Sequence, residues 1–332
     1  DMIESFTNIP SRYIGLFYGD EKRIAPITIT TYQSAFRNIG FLGKYYDLLI
    51  IDECHHLPAD KFKLIATHTT SPYRMGLSAT VVREDGRHVE LFQLLGGIVY
   101  HKSAAELAMQ GYLARYRVIP IKVRLTSSER KEYRELYRLY RQLAGGRGFK
   151  ELLEDAKHGD DKAIKALKIH SRLRLLVANS QSKIEKAIEI AKKEFERGNK
   201  IIIFTQYVEQ AKKISQELDA YLLIGELGSK ERKRILRSFK TVPRGILVVT
   251  TIGDEGLDIP DANVGIIVSG TGSRRQFIQR LGRILRPKEG KEAKLYEIVI
   301  EGTQDEYYAR KRKTILLNDI EHLESNPNNS IV

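Results

Sequence analysis

Apolar and polar positions follow two rhythms along this chain. Short unbroken apolar runs end in small or charged residues, and between them apolar positions recur every three to four residues. Ile27-Thr28-Ile29-Thr30-Thr31 is β-branched and predicts a strand. Leu48-Leu49-Ile50-Ile51 stops at Asp52-Glu53-Cys54-His55, which predicts a strand buried on both faces of a parallel sheet. Arg74-Met75-Gly76-Leu77-Ser78-Ala79-Thr80 predicts another, ending in small hydroxyl residues. Strand-helix alternation over residues 1–102 predicts a parallel sheet covered by helices on both faces.

A transition follows. Ala104 to Met109 has a helical pattern stopped by Gly111, and Val118 to Val123 predicts a strand that Pro120 confines to an edge. Residues 127–180 differ in character. Thr126 or Ser127 caps a helix with Glu129 in its first turn, and Tyr133, Leu136, Tyr137, Tyr140 and Leu143 share one face of it. Arg130, Arg134, Arg138 and Arg141 occupy the rest, either along phosphates or on a solvated face. Gly145-Gly146-Arg147-Gly148 breaks the helix, and amphipathic segments from Phe149 to Ala156 and from Ala163 to Val177 follow. The alternation then resumes: strands at Lys200 to Phe204, Ile246 to Thr251, Val264 to Ser269 and Lys294 to Ile300, with helices at Ile184 to Ala191, Tyr207 to Leu218 and Phe277 to Arg286. A last helix spans residues 303–324. The expected architecture is α/β with two parallel-sheet domains, residues 1–102 and 103–332, the second carrying a helical insert.

The length of 332 residues suits two domains. No apolar run reaches the roughly 18 residues of a membrane span, and no signal peptide is visible. The first residue is Asp1, not Met, so a piece of a longer protein is expected. A single cysteine, Cys54, excludes an intrachain disulfide framework and a cysteine-based zinc site. The net charge of +13 favours polyanions, nucleic acid first and anionic membrane second, against the bland reading of a basic soluble protein.

Chemistry gathers at the strand ends. Open α/β sheets bind ligands at the carboxyl ends of their strands, where Asp52 and Glu53 fall. One such acid can hold Mg²⁺ on a nucleotide while the next orients or deprotonates water; the alternative is a strand followed by an acidic turn. Thr30, Thr31 and Ser34 offer hydroxyls either to a phosphate or to a helix cap. Arg83-Glu84-Asp85-Gly86 has the composition of a solvated turn. Gln279, Arg283 and Arg286 share one helical face, where arginines stabilise a transferring phosphoryl group or merely solvate the helix. Asp258, after two glycines, could meet a ribose hydroxyl or an arginine.

In this order the motifs resemble those of superfamily 2 helicases and translocases. Asp52-Glu53-Cys54-His55 is similar to motif II of the DExH type, Ser78-Ala79-Thr80 to motif III, and Phe204-Thr205-Gln206 to motif IV. Thr251 to Asp258 is similar to motif V and Gln279 to Arg286 to motif VI. Arg83-Glu84-Asp85 resembles the RED motif of the XPB family, and the helices of residues 127–180 resemble the thumb-like insert of its archaeal members. The resemblance implies two RecA-like domains and an ATP-dependent DNA helicase or double-strand translocase of 3′–5′ polarity, in nucleotide excision repair or transcription initiation. It implies that Asp52 coordinates Mg²⁺, that Glu53 activates water, and that Arg283 and Arg286 act as arginine fingers with Gln279 near the nucleotide. His55, Ser78 and Thr80 would couple nucleotide state to DNA, and Gly256 and Asp258 would complete the ATP site. Thr30, Thr31, Arg83, Glu84, Asp85, Thr205 and Thr251 would meet DNA at a junction of single and double strands. A nuclease partner and an intracellular location, cytoplasmic in an archaeon and nuclear in a eukaryote, are further implications.

One departure stands out. No Gly-x-x-x-x-Gly-Lys-Ser/Thr loop is present, and Gly40 and Gly43-Lys44 lack its spacing. The amino-terminal strand that would carry this loop is therefore expected in a preceding segment, and this chain alone is expected to hydrolyse ATP poorly. A non-catalytic DNA-binding scaffold and a nuclease-recruiting module are the competing readings.

Overall fold

A computed structural model describes residues 2–78, 86–102, 106, 110, 115–250, 259, 261–269, 292–307 and 309–310. The chain divides into two units, residues 1–101 and 102–332.

The first unit holds two small sheets. After helix α1 (Met2–Phe6), strands β1 (Ile14–Tyr18), β2 (Glu21–Lys22) and β3 (Ile27–Thr30) form a sheet in the order β2-β1-β3. The β1–β2 hairpin turns through Gly19 at φ +55°, a backbone state that glycine enters at little cost. Helix α2 (Tyr32–Leu42) leads to β4 (Leu48–Ile51), which pairs in parallel with β5 (Tyr73–Gly76); α3 (Lys63–Thr67) lies between them in sequence and α4 (Val89–Leu95) follows. The core joins Ala35 of α2, Ile51 of β4, Cys54 and Leu57 after it, Ile65 and Ala66 of α3, and Leu91 of α4, with Leu49 packed against it.

This corrects the expectation of a β4 buried on both faces. Leu49 and Ile51 point to the helices, whereas Leu48 and Ile50 are 48% and 55% exposed. Tyr73 and Met75, their register partners on β5, are exposed beside them. The reason is pairing and cover: among the described residues β4 hydrogen-bonds only β5, and α2, α3 and α4 all contribute to a single core on one face.

The second unit is built on a six-stranded, wholly parallel sheet. β6 (Arg115–Val123) is followed by α5 (Ser127–Ala144), α6 (Phe149–Lys157), α7 (Asp161–Ala178) and α8 (Gln181–Glu196). Then come β7 (Lys200–Thr205), α9 (Val208–Glu217), β8 (Tyr221–Leu223), α10 (Ser229–Thr241), β9 (Gly245–Thr250), β10 (Val264–Ile267) and β11 (Glu292–Ile300). The order is β6-β11-β10-β7-β9-β8. β7 and β9 are buried throughout, and alternate residues serve opposite cores: Ile202, Phe204, Leu247 and Val249 on one face, Ile201, Ile203, Ile246 and Val248 on the other. Each such side chain contributes roughly 1.5–3 kcal/mol. Pro120 lies on edge strand β6, where the absent N–H leaves no gap in a second ladder.

The insert is a three-helix packet between β6 and α8. Ala144, Leu152, Ala163 and Ala166 form its core, with Tyr140 and Leu143 against them. Two of its charged residues, Arg147 and Glu129, have defined partners. Gly145 and Gly146 take φ +60° and +87°, and the Arg147 guanidinium then bonds Asp155 (2.7 Å) and Asp160 (3.0 Å). Glu129 caps two helices at once: its carboxylate accepts from Thr126 N–H (2.9 Å) at the start of α5 and from Gln181 N–H (2.9 Å) at the start of α8. β1, β8 and α10 were not legible in the apolar pattern. β1 is interrupted by Gly15, β8 is three residues long, and α10 is mostly charged with only Ile235, Leu236 and Phe239 turned inward. No helix of the described residues is long and apolar enough to cross a membrane.

Candidate active site

The acid pair sits on the turn that leaves β4. Glu53 has φ 49° and ψ 46°, so a non-glycine residue occupies the left-handed region at a cost of about 1–2 kcal/mol. The turn is pinned from several sides. Cys54 N–H donates to Leu77 O (2.9 Å), and Leu77 N–H donates to Ile51 O (2.8 Å), so the β4–β5 ladder continues across it. Glu53 N–H donates to Asp52 Oδ1 (2.9 Å), and His56 N–H to Glu53 O (3.0 Å). From α2, the Tyr32 hydroxyl reaches Asp52 O at 2.9 Å and Glu53 O at 3.1 Å. Gly76 lies against the turn: a Cβ there would be 2.6 Å from Leu95 Cδ1 and 3.0 Å from Cys54 Sγ.

Asp52 is exposed and Glu53 half-buried, side by side at the carboxyl end of a parallel strand. The His55 ring is 1% exposed, and its Nδ1 lies 2.9 Å from Ser78 Oγ and 3.2 Å from Glu53 Oε2. Ser78 Oγ is the nearer of the two, and the contact with Glu53 is an ion pair only with a protonated imidazole. His55 and Ser78 thus bridge the two strand ends, with the Glu53 carboxylate beside the ring. Burial pushes the Cys54 thiol up, with the neighbouring acids adding to the effect, so this cysteine is packing. Among the described residues no cluster of three His, Cys, Asp or Glu could cage a metal. Mg²⁺ needs no such cage, since one or two carboxylates with phosphate and water oxygens satisfy it, and Asp52 fits that requirement.

The hydroxyls expected near DNA have structural partners. Thr31 Oγ1 caps α2, accepting from Ser34 N–H (3.3 Å), and remains exposed; Thr30 Oγ1 donates to Phe17 O (2.8 Å). Thr205 is buried, and its hydroxyl donates to Tyr207 O (3.3 Å).

Sequence reasoning missed the network at the carboxyl ends of β7 and β10. Ser269 Oγ accepts from Gln206 N–H (2.7 Å) and donates to Gln210 Oε1 (2.6 Å), while Gln210 Nε2 donates to Ala178 O (2.7 Å) at the end of α7. Tyr32 was missed as well, although it directly follows the Thr30-Thr31 pair. Thr80, Arg83, Glu84, Asp85, Thr251, Gly256, Asp258, Gln279, Arg283 and Arg286 lie outside the described residues.

The wholly parallel sheet of the second unit, covered on both faces, and in the first unit an acid turn at the end of a parallel strand are features of a RecA-like α/β protein. The solved helicase domain of Pyrococcus furiosus Hef shares this fold, with a TM-score of 0.59 at 22% identity over 93% of this chain and 85% of that one. The family description "ERCC3/RAD25/XPB C-terminal helicase" matches residues 162–321, and "Type III restriction enzyme, res subunit" matches residues 1–83. The DNA 3′-5′ translocase XPB2 of Sulfurisphaera tokodaii is 40% identical over 94% of this chain and 73% of its own length. The DNA 3′-5′ helicase XPB of Mycobacterium tuberculosis is 31% identical over 93% of this chain, which spans 52% of that protein. The chain belongs to the XPB family of DNA helicases and translocases.

Proposed function

We propose that the protein is an ATP-dependent DNA helicase or double-strand translocase of 3′–5′ polarity, working in nucleotide excision repair or transcription initiation. The observation that carries this is the acid turn: Asp52 and Glu53 at the carboxyl end of β4, with Glu53 Oε2 3.2 Å from the buried His55 ring. Family membership supports it. The S. tokodaii relative is named a DNA 3′-5′ translocase, and the M. tuberculosis relative a DNA 3′-5′ helicase.

In this reading Glu53 accepts a proton from the water that attacks the γ-phosphorus of ATP, and ADP departs with the electron pair of the broken P–O bond. Asp52 would hold Mg²⁺, whose charge neutralises the β- and γ-phosphate oxygens. The His55–Ser78 contact (2.9 Å) ties the water-activating carboxylate to the end of β5, so a shift of that strand end reaches Glu53. Arg283 and Arg286 would stabilise the transferring phosphoryl group, with Gln279, Thr80, Gly256 and Asp258 around the nucleotide. Thr31, exposed at the start of α2, with Thr30, Arg83, Glu84, Asp85 and Thr251, would meet DNA. The insert would dock a nuclease, a role that co-purification of the complete gene product with and without residues 127–180 tests.

The decisive experiment is ATP hydrolysis by the complete gene product, with and without duplex DNA, against Glu53→Gln. Loss of turnover with ATP binding retained is expected. Undiminished turnover would overturn the assignment of Glu53.

A further inference from the structure

The Tyr32 side chain reaches the backbone of the acid turn from another element, helix α2. Its phenol oxygen lies 2.9 Å from the carbonyl of Asp52 and 3.1 Å from that of Glu53, a three-centre bond to the two carbonyls on either side of the left-handed glutamate's Cα. The ring is held as firmly as the hydroxyl. It packs 5.0 Å from the Phe62 ring and 6.2 Å, edge-on, from His56, within the core that includes Ile51 and Cys54. Burial, with Cys54 and the two acids nearby, raises the phenol far above its ordinary value, so it remains a donor at any physiological pH.

We propose that Tyr32 is a positioning residue for ATP hydrolysis, its hydroxyl fixing the peptide that aims Glu53 at the attacking water. The proposal rests on the hydrolytic role assigned to Glu53 above. The geometry gives the reason. A strained residue persists only where its surroundings over-determine it. Backbone bonds with Leu77, just beyond β5, hold Ile51 and Cys54 on either side of the acid pair, and the Asp52 side chain accepts from Glu53 N–H. Tyr32 grips the two carbonyls between them. It is also the first residue of α2, next to the exposed cap Thr31, so displacement of that helix end pulls on the acid turn through one hydrogen-bonded side chain.

Tyr32→Phe removes the hydroxyl and keeps the ring. In the complete gene product with Mg·ATP and a blunt DNA duplex, kcat is expected to fall about tenfold, since a small misplacement of a catalytic group costs up to about a hundredfold. KM for ATP and affinity for a fluorescent ATP analogue are expected to stay within about twofold, which also reports a folded protein. Tyr46→Phe is the control. It removes a half-buried hydroxyl of the same unit, bonded to Thr28 Oγ1 (2.6 Å) and Ala25 O (3.3 Å), and is expected to leave kcat unchanged. Wild-type kcat in Tyr32→Phe, or equal losses in both variants, would overturn the positioning role. A Glu53→Gln protein that still hydrolyses ATP would overturn the underlying assignment and this proposal with it. A silent Glu53→Gln protein beside a fully active Tyr32→Phe protein would overturn the positioning role alone.

Discussion

Gly43 shows how one residue's role changes when its neighbours are known. In the sequence it is a glycine before a lysine, a fragment of a phosphate-loop pattern with the wrong spacing. In the structure it ends α2, and a Cβ there would lie 2.7 Å from Ile39 O and 2.9 Å from His68 O, both backbone atoms that cannot swing away. Its carbonyl also accepts from Thr70 N–H (2.8 Å). Gly43→Ala is therefore expected to cost about 1–3 kcal/mol in urea unfolding of the protein, the usual range for overpacking; an unchanged midpoint would contradict the close approach. The acids at Asp52 and Glu53 were legible because a run of apolar residues that stops abruptly is a local signal. The Tyr32 hydroxyl on their carbonyls was not, because a contact spanning twenty residues leaves no trace in spacing. The burial of Thr205 was hidden for a related reason: a threonine at a strand end has the same composition whether it faces solvent or a neighbouring strand.

At the scale of elements, strands β7, β9, β10 and β11 and the three insert helices were all legible, since each carries an unbroken apolar run or a clear amphipathic face. The face of β4 was not, because an apolar run looks the same with one covered face as with two. Buried charge in the second unit was equally silent in the sequence. Glu194 of α8 is 1% exposed and accepts from Lys294 (3.1 Å), Tyr296 (2.8 Å) and Arg197 (2.8 Å). Burial alone would raise its carboxyl, but the bonds from Tyr296 and Lys294 outweigh that and hold it below the usual 4.5. Tyr296, half-buried and bonded to Glu194, is pushed up to about 12. A depressed carboxyl contributes stability that is fully present above its unfolded value and lost as pH falls through the folded one. The melting temperature of wild type relative to Glu194→Gln is therefore expected to be highest above pH 4.5 and to converge with it on further acidification; parallel curves would contradict the network. Glu129, capping α5 and α8 together, makes a second case. Glu129→Ala is expected to cost about 2 kcal/mol in urea unfolding, more than a single cap, and a loss below about 0.5 kcal/mol would contradict the double cap.

For the whole molecule, charge and family lead to the same expectation. A chain with net charge +13 that neutralises about six phosphates should lose roughly a thousandfold in affinity for duplex DNA between about 50 and 200 mM salt. Fluorescence anisotropy with a labelled duplex checks this, and a flat salt dependence would contradict an electrostatic grip. The parallel sheet of the second unit was legible because it is written locally, strand by strand. The split of the first unit into two small sheets was not, because strand pairing is decided between distant segments. The central claim is that Glu53, held left-handed at the end of β4, activates the water that hydrolyses ATP. DNA-stimulated ATP turnover by the complete gene product carrying Glu53→Gln measures it most directly. A fall of at least about a hundredfold in kcat, with nucleotide affinity retained, is the predicted result for loss of a general base; turnover within about twofold of wild type would contradict it.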